Sequence, residues 1–255
     1  MMVRADATKE VGTLFSMENV SDLENGVWIY DVNIQDQDPN NSTEKTLGVM
    51  GSGDKYIVGL TEKADESIIK ANGYKLFEIE SNDTGTLTLA NLTIDGANGL
   101  IDVAQGVDAN VVLDNVMIQN SIDTVIKNKG KITINDIVLK NNKAEGEDGG
   151  AIYNDENATV VFSGESKFID NTAIKKYANG GAIYNVSNAN VVFGGEAIFT
   201  GNTALGTYAM GGAIYNDYNN KLQFDSKAVF ENNIGQGGAG AIYNYGSLIT
   251  FNGDA

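Results

Sequence analysis

Six residues, GGAIYN, occupy Gly149 to Asn154, return at Gly180 to Asn185 and again at Gly211 to Asn216, and a variant, AGAIYN, runs from Ala239 to Asn244. The first three copies are spaced by 31 residues, and a second marker keeps step with them: FIDN at Phe168 to Asn171, FTGN at Phe199 to Asn202 and FENN at Phe230 to Asn233. Two markers in one register define one structural unit per block. Self-similarity at such a period is the signature of a solenoid or array, in which a unit cannot bury its apolar face alone.

Between the markers lies a third recurrent piece, TVVFSG from Thr159, NVVFGG from Asn190 and KLQFDS from Lys221. Runs this short, rich in Val, Ile, Phe and Tyr and bounded by Gly, Asn, Asp and Ser, read as strands. In KLQFDS the apolar Leu222 and Phe224 alternate with Lys221, Gln223 and Asp225, so the period is two and Val160/Phe162 and Val191/Phe193 share the inward face. Three short strands per coil, stacked about 4.8 Å apart, describe an all-β chain: a right-handed, single-stranded parallel β-helix of the pectin-lyase-like kind.

The same template extends backwards. Ile132, Ile134, Ile137 and Leu139 stand at offsets of 0, 2, 5 and 7, as do Val111, Leu113, Val116 and Ile118, and Leu87, Leu89, Leu92 and Ile94. Aligned so, Ile94, Ile118, Leu139, Phe168, Phe199 and Phe230 form one apolar column. Upstream, GVWIYDVNI from Gly26 and KYIVGL from Lys55 are strand-like but show no register. Residues 1–73 are therefore expected to be a cap with irregular first coils, and 74–255 the regular helix. SLITFNGDA ends the chain on a second strand, with Ile249 and Phe251 inward; an uncapped solenoid exposes edge backbone, so a longer natural chain is expected. Met1-Met2 is not followed by the apolar run of about 7 to 15 residues that a secretory leader carries, so this start is not expected to be one.

Each letter of the recurrent hexapeptide has a physical role. Paired glycines adopt positive φ or pass close under a neighbouring coil. Ile152, Ile183, Ile214 and Ile242 enter the core. Asn154, Asn185, Asn216 and Asn244 end the strand, as Asn tolerates the left-handed region and bonds its own backbone. Stacked in register, their amides can also bond from coil to coil, and Asn171, Asn202 and Asn233 form a second such ladder. A structural role is expected for both.

GGAI alternating with FxxN resembles the passenger repeats of autotransporters, most closely the chlamydial polymorphic membrane proteins. The resemblance rests on Gly149 to Ile152, Gly180 to Ile183 and Gly211 to Ile214 with Phe168/Asn171, Phe199/Asn202 and Phe230/Asn233. It covers about the last 110 residues, and the chain departs from the chlamydial pattern in having no cysteine. It implies a secreted, surface-exposed adhesin followed in the whole protein by an outer-membrane β-barrel.

Composition narrows the partners. A formal net charge of −17 with a single arginine argues against nucleic acid, which needs clustered cations. No segment reaches the length of an apolar membrane span, so this stretch makes no membrane contact itself. Without cysteine there are no disulfides or thiolate metal sites.

The rival class is a polysaccharide-active hydrolase or lyase built on a β-helix. Histidine is absent, and the one arginine, Arg4, stands far from the repeats. A carboxylate pair remains chemically sufficient for inverting hydrolysis, with Asp155/Glu156 or Glu145, Glu147 and Asp148 as candidates. None recurs from coil to coil, and no catalytic residue, metal or cofactor is assigned. AEGEDGG could hold Ca²⁺ through Glu145, Glu147 and Asp148 but matches no complete calcium signature.

A binding surface has better support. If Ile152 points in, Tyr153 points out, and with it Tyr184, Tyr215 and Tyr243. Stacked aromatics can merely stabilise adjacent strands, by about 0.2 to 1 kcal/mol per pair, or they can present a strip to sugar rings or a partner's side chains. The loops NTAIKKYANGG and NTALGTYAMGG add Tyr177 and Tyr208 at one coil position. The expected role is that of a monomeric adhesin or binding module for a host or cell-surface protein or glycan.

Overall fold

The computed structural model describes residues 27–30, 46–49, 55–59, 63–66, 68–71, 73, 75–79, 86–109 and 111–254. Within these the strands pair in parallel, each coil on the next, and build a β-solenoid. Three sheets carry the expected strands. The IYN sheet runs from Thr46–Val49 and Lys75–Ile79 through Ile101–Val103, Ile126–Asn128, Ile152–Asn154, Ile183–Asn185 and Ile214–Asn216 to Ile242–Asn244. The VVF sheet runs from Asp108–Ala109 through Lys131–Ile134, Thr159–Phe162, Asn190–Phe193 and Lys221–Phe224 to Leu248–Phe251. The FxxN sheet ends with Ile137–Lys140, Ser166–Ile169, Ala197–Thr200 and Ala228–Glu231.

Register is residue on residue. Ile152 pairs with Ile183, Ile183 with Ile214 and Ile214 with Ile242. Ile94, Ile118, Leu139, Phe168, Phe199 and Phe230 pair in that order, which is the column expected from the sequence. The first five are buried, and Phe230 is partly covered. The phenylalanines stack with ring centroids 4.6 Å apart between Phe168 and Phe199 and 4.9 Å between Phe199 and Phe230. A second column, Phe162, Phe193, Phe224 and Phe251, stacks at 4.7 to 4.9 Å. The two columns meet edge to face, with Phe193 and Phe199 5.6 Å apart at 88°, the arrangement that ring quadrupoles favour.

Three features differ from the sequence reading. Long coils carry a fourth strand, Lys143–Glu145, Thr172–Ile174, Thr203–Leu205 and Ile234–Gly235, in what reads as loop. Three residues are too few to show alternation. They are held because Ala173 and Ala204 turn inward and, with Ala178 and Ala209, make a small buried core of their own.

Secondly, Ile132 pairs with Ala109 rather than Val111, although Ile137 and Leu139 keep Val116 and Ile118. The earlier coils run through as single strands, Leu87–Asp95 and Val111–Gln119, with Asn91 and Asn115 at φ 53° and 52° inside them. The later chain instead turns a corner at Asn135–Asp136, whose two N–H groups both donate to Leu113 O. The slip is two residues, so Ile132 still faces inward.

Thirdly, the upstream stretches do have a register. Val27–Tyr30 pairs with Lys55–Gly59, and Lys55–Gly59 with Leu87–Asp95 in the FxxN sheet. The spacing there goes from 29 residues (Val27 to Tyr56) to 32 (Lys55 to Leu87) and then 24 (Leu87 to Val111), with no shared motif to mark it.

The two glycines divide the roles expected of them. Gly149, Gly180 and Gly211 have φ of 64°, 66° and 68°. At Gly150 and Gly181 an added Cβ would stand 2.2 and 2.1 Å from the carbonyl oxygens of Gly181 and Gly212 in the next coil. No side chain fits that approach.

Candidate binding surface

The outer face of the IYN sheet carries Tyr153, Tyr184, Tyr215 and Tyr243 in one line, paired through their strands. Ring centroids are 5.3 Å apart at 73° for the first two contacts and 4.9 Å at 27° for the last. All four are half-buried. Burial, reinforced by Asp155 and Asp148, pushes the Tyr153 phenol up to about 12. Burial, with Asp217 and Tyr243 adding to it, pushes Tyr215 up to about 12 as well. Tyr184 is raised further, again by burial first. Tyr153, Tyr184 and Tyr215 thus keep their phenol protons at neutral pH. Below it the same column continues into charge, with Lys127 under Tyr153 and Asp102 under Lys127, and Lys127 Nζ is 2.8 Å from Asp123.

The loop tyrosines are more open. Tyr177 and Tyr208 are 54% and 51% exposed, and their rings lie 5.0 Å apart with only 13° between planes. Backbone bonds hold both loops in place: Ala178 N–H donates to Lys175 O, Ala209 N–H to Gly206 O, and Tyr208 N–H to Lys176 O in the coil below. Ala178 and Ala209 are the buried feet of these turns. Lys176 Nζ lies over the Tyr177 ring, 5.2 Å from its centroid.

Asp148 anchors this side from below. It is 7% exposed and accepts from Lys175 Nζ and from the Asn179 N–H, each at 2.7 Å. Burial lifts its carboxyl above the ordinary range against the pull of Lys175 and Asn179. Its oxygens thus bind chain groups, while Glu145 pairs with Lys143. Asp155 Oδ1 accepts from the Glu156 N–H, 2.7 Å away, within its own turn. Among the described residues no three acids, histidines or cysteines come together as a metal site would require.

The asparagines form two hydrogen-bonded columns. The Nδ2 of Asn154 donates to Asn185 at 2.7 Å, Asn185 to Asn216 and Asn216 to Asn244 at 2.8 Å each. In the other column Asn171 donates to Asn202 at 3.0 Å and Asn202 to Asn233 at 2.9 Å. Each column reaches one coil further down, to Asn128 and Asn142. Ile126-Lys127-Asn128 is an IxN and Leu139 to Asn142 an LxxN, so the signal was present in looser form. These asparagines are not themselves left-handed. That conformation falls to the residue before the second column, Asn141, Asp170, Gly201 and Asn232, and to Asn157, Asn188, Asn219 and Gly246 in the turns after the first. Exposed Tyr218 and Tyr245 stand one residue before Asn219 and Gly246 in these turns and are not singled out by the sequence, because Glu156 and Ser187 hold that position in the coils below.

Three consecutive segments, residues 136–155, 165–186 and 196–217, match the Chlamydia polymorphic membrane protein repeat. Each runs from the FxxN strand through the fourth strand and loop to the IYN strand. Tyr153, Tyr177, Tyr184, Tyr208 and Tyr215 therefore all lie inside matched repeats. No curated protein and no solved structure matches the chain.

Proposed function

We propose that this run of polymorphic-membrane-protein repeats is the passenger part of an autotransporter-like surface protein and serves as an adhesin for a host or cell-surface protein or glycan. The repeats and the solenoid fit a surface passenger domain, and among the described residues no helix is long and apolar enough to cross a membrane. Anchorage would come from a barrel domain elsewhere in the whole protein, with the solenoid acting as a monomer and without catalysis.

One observation supports adhesion above others: the Tyr177–Tyr208 pair, more than half exposed and held by buried alanines. Two open, rigid rings lose little side-chain entropy on contact, the property that makes tyrosine a frequent anchor at interfaces. The line on the IYN sheet is less open. Attachment of the protein to cultured animal cells, compared among wild type, Tyr177→Ser/Tyr208→Ser and Tyr184→Ser/Tyr215→Ser, tests the reading. The loop variant should lose at least about tenfold in apparent affinity, as removal of central aromatic anchors does. The sheet variant should lose less, and both should keep their unfolding midpoints within the small cross-strand terms. Undiminished attachment by both stable variants would remove the tyrosines as a contact surface.

A further inference from the structure

Resting on that reading, we propose that the open face of Tyr208 is a stacking platform for one ring of a neutral saccharide. Two rings 5.0 Å apart with 13° between planes must each cover a face of the other, because rings displaced edge to edge by that distance would collide. Tyr177 also carries the Lys176 ammonium over its ring. Tyr208 ends the column: among the described residues no further ring lies on it.

The next coil leaves that rung open. Asn179 bridges to Met210 and Met210 to Gly238, while Gly235 pairs with Ala204, so Gln236 and Gly237 alone span what Leu205 to Ala209 span in the coil below, and it is Gly237 that passes over the Tyr208 backbone. This last loop is shorter, 28 residues from Met210 to Gly238 against 31 from Asn179 to Met210. Gln236 is not stacked: its Oε1 accepts from the Gly206 N–H at 2.8 Å. Gly237 has no side chain, and a Cβ at Gly238 would meet nothing within 4 Å.

What flanks the platform names the ligand. The Thr207 hydroxyl beside Tyr208 is exposed, and so is Gln236, whose amide NH₂ remains a donor once its oxygen is engaged. An aromatic face with neutral donors and acceptors beside it matches a pyranose, which offers an apolar C–H face and a rim of hydroxyls. A chain of net charge −17 repels anionic ligands at long range, so the neutral sugars are favoured over the sialylated or uronic ones.

The test uses the 255-residue protein on a printed array of neutral hexose- and N-acetylhexosamine-terminated oligosaccharides with their sialylated counterparts, together with the cell-attachment assay. Wild type should bind neutral glycans, and Tyr208→Phe should retain that binding. Tyr208→Ala should lose at least about tenfold. Gln236→Ala, an exposed change that removes the flanking amide, should lose binding by a smaller factor. Binding by Tyr208→Ala equal to wild type overturns the platform, and binding by Gln236→Ala equal to wild type overturns the flanking amide as a donor to the ligand. Attachment to cells without binding to any neutral glycan overturns the saccharide and leaves the adhesin, with a protein partner. Failure to attach to cells at all removes the adhesin reading itself.

Discussion

The coils through residues 87–140 and those through 159–251 solve one packing problem with different side chains. In the lower coils the interior is aliphatic, with Leu87, Leu89, Leu92, Ile94, Leu113, Val116, Ile118, Ile137 and Leu139 all buried. In the upper coils two phenylalanine columns take over, and the position between them shrinks. Val116 pairs with Ile137, Ile137 with Ser166, Ser166 with Ala197 and Ala197 with Ala228. A large ring enters on each flank as the middle residue falls to Ser or Ala. Interiors tolerate substitution when volume is conserved across neighbours and resist it otherwise. The exchange of Ile for Ser/Ala with Leu for Phe therefore behaves as one event.

That comparison is open to attack at its strongest point first. Phe199→Ala should destabilise by about 3 to 5 kcal/mol, since Phe168 and Phe230 above and below and Phe193 at the side are held by their own strands and cannot close the cavity. Leu139→Ala, in the aliphatic coils, should cost about 2 to 5 kcal/mol. Urea midpoints read both, and a midpoint for Phe199→Ala equal to wild type would place its ring in solvent.

A smaller effect tests the polar frame that both regions share. Asn185 receives from Asn154 and donates to Asn216, and it is fully buried. Asn185→Ala should cost about 1 to 3 kcal/mol, because Asn216 Oδ1 is left without its donor. Asn244 stands exposed at the last described rung, and its replacement by Ala should cost only about 0.5 to 1.5 kcal/mol. Equal losses at the two sites would show that burial does not set the worth of a rung.

The smallest expected change has the opposite sign. Among the described residues Ser166 Oγ is a buried side-chain atom with no hydrogen-bond partner, and Ala already fills its place at Ala197 and Ala228. Ser166→Ala should raise stability by about 1 kcal/mol. A lowered midpoint would mean that the hydroxyl contributes at this junction between aliphatic and aromatic coils.

By itself the sequence determined the repeat, the period-two strands, the inward column from Ile94 to Phe230 and the two jobs of the paired glycines. All of these are local or strictly periodic, so equivalent residues recur where a reader can align them. It also set out the six tyrosines, of which all but Tyr243 lie in repeats matched to a known surface-protein family. What only the tertiary structure decided depends on neighbouring coils. The fourth strand exists because four alanines from two coils share a pocket, which no three-residue run can announce. The two-residue slip of Ile132 arises because one coil turns a corner where the coil below runs straight. Asn128 and Asn142 join the columns because an amide is recognised by the amide under it, not by the letters beside it. The unequal openness of the tyrosines has the same origin: alternation sends a side chain outward, but the surrounding loops decide how much of its ring meets the solvent.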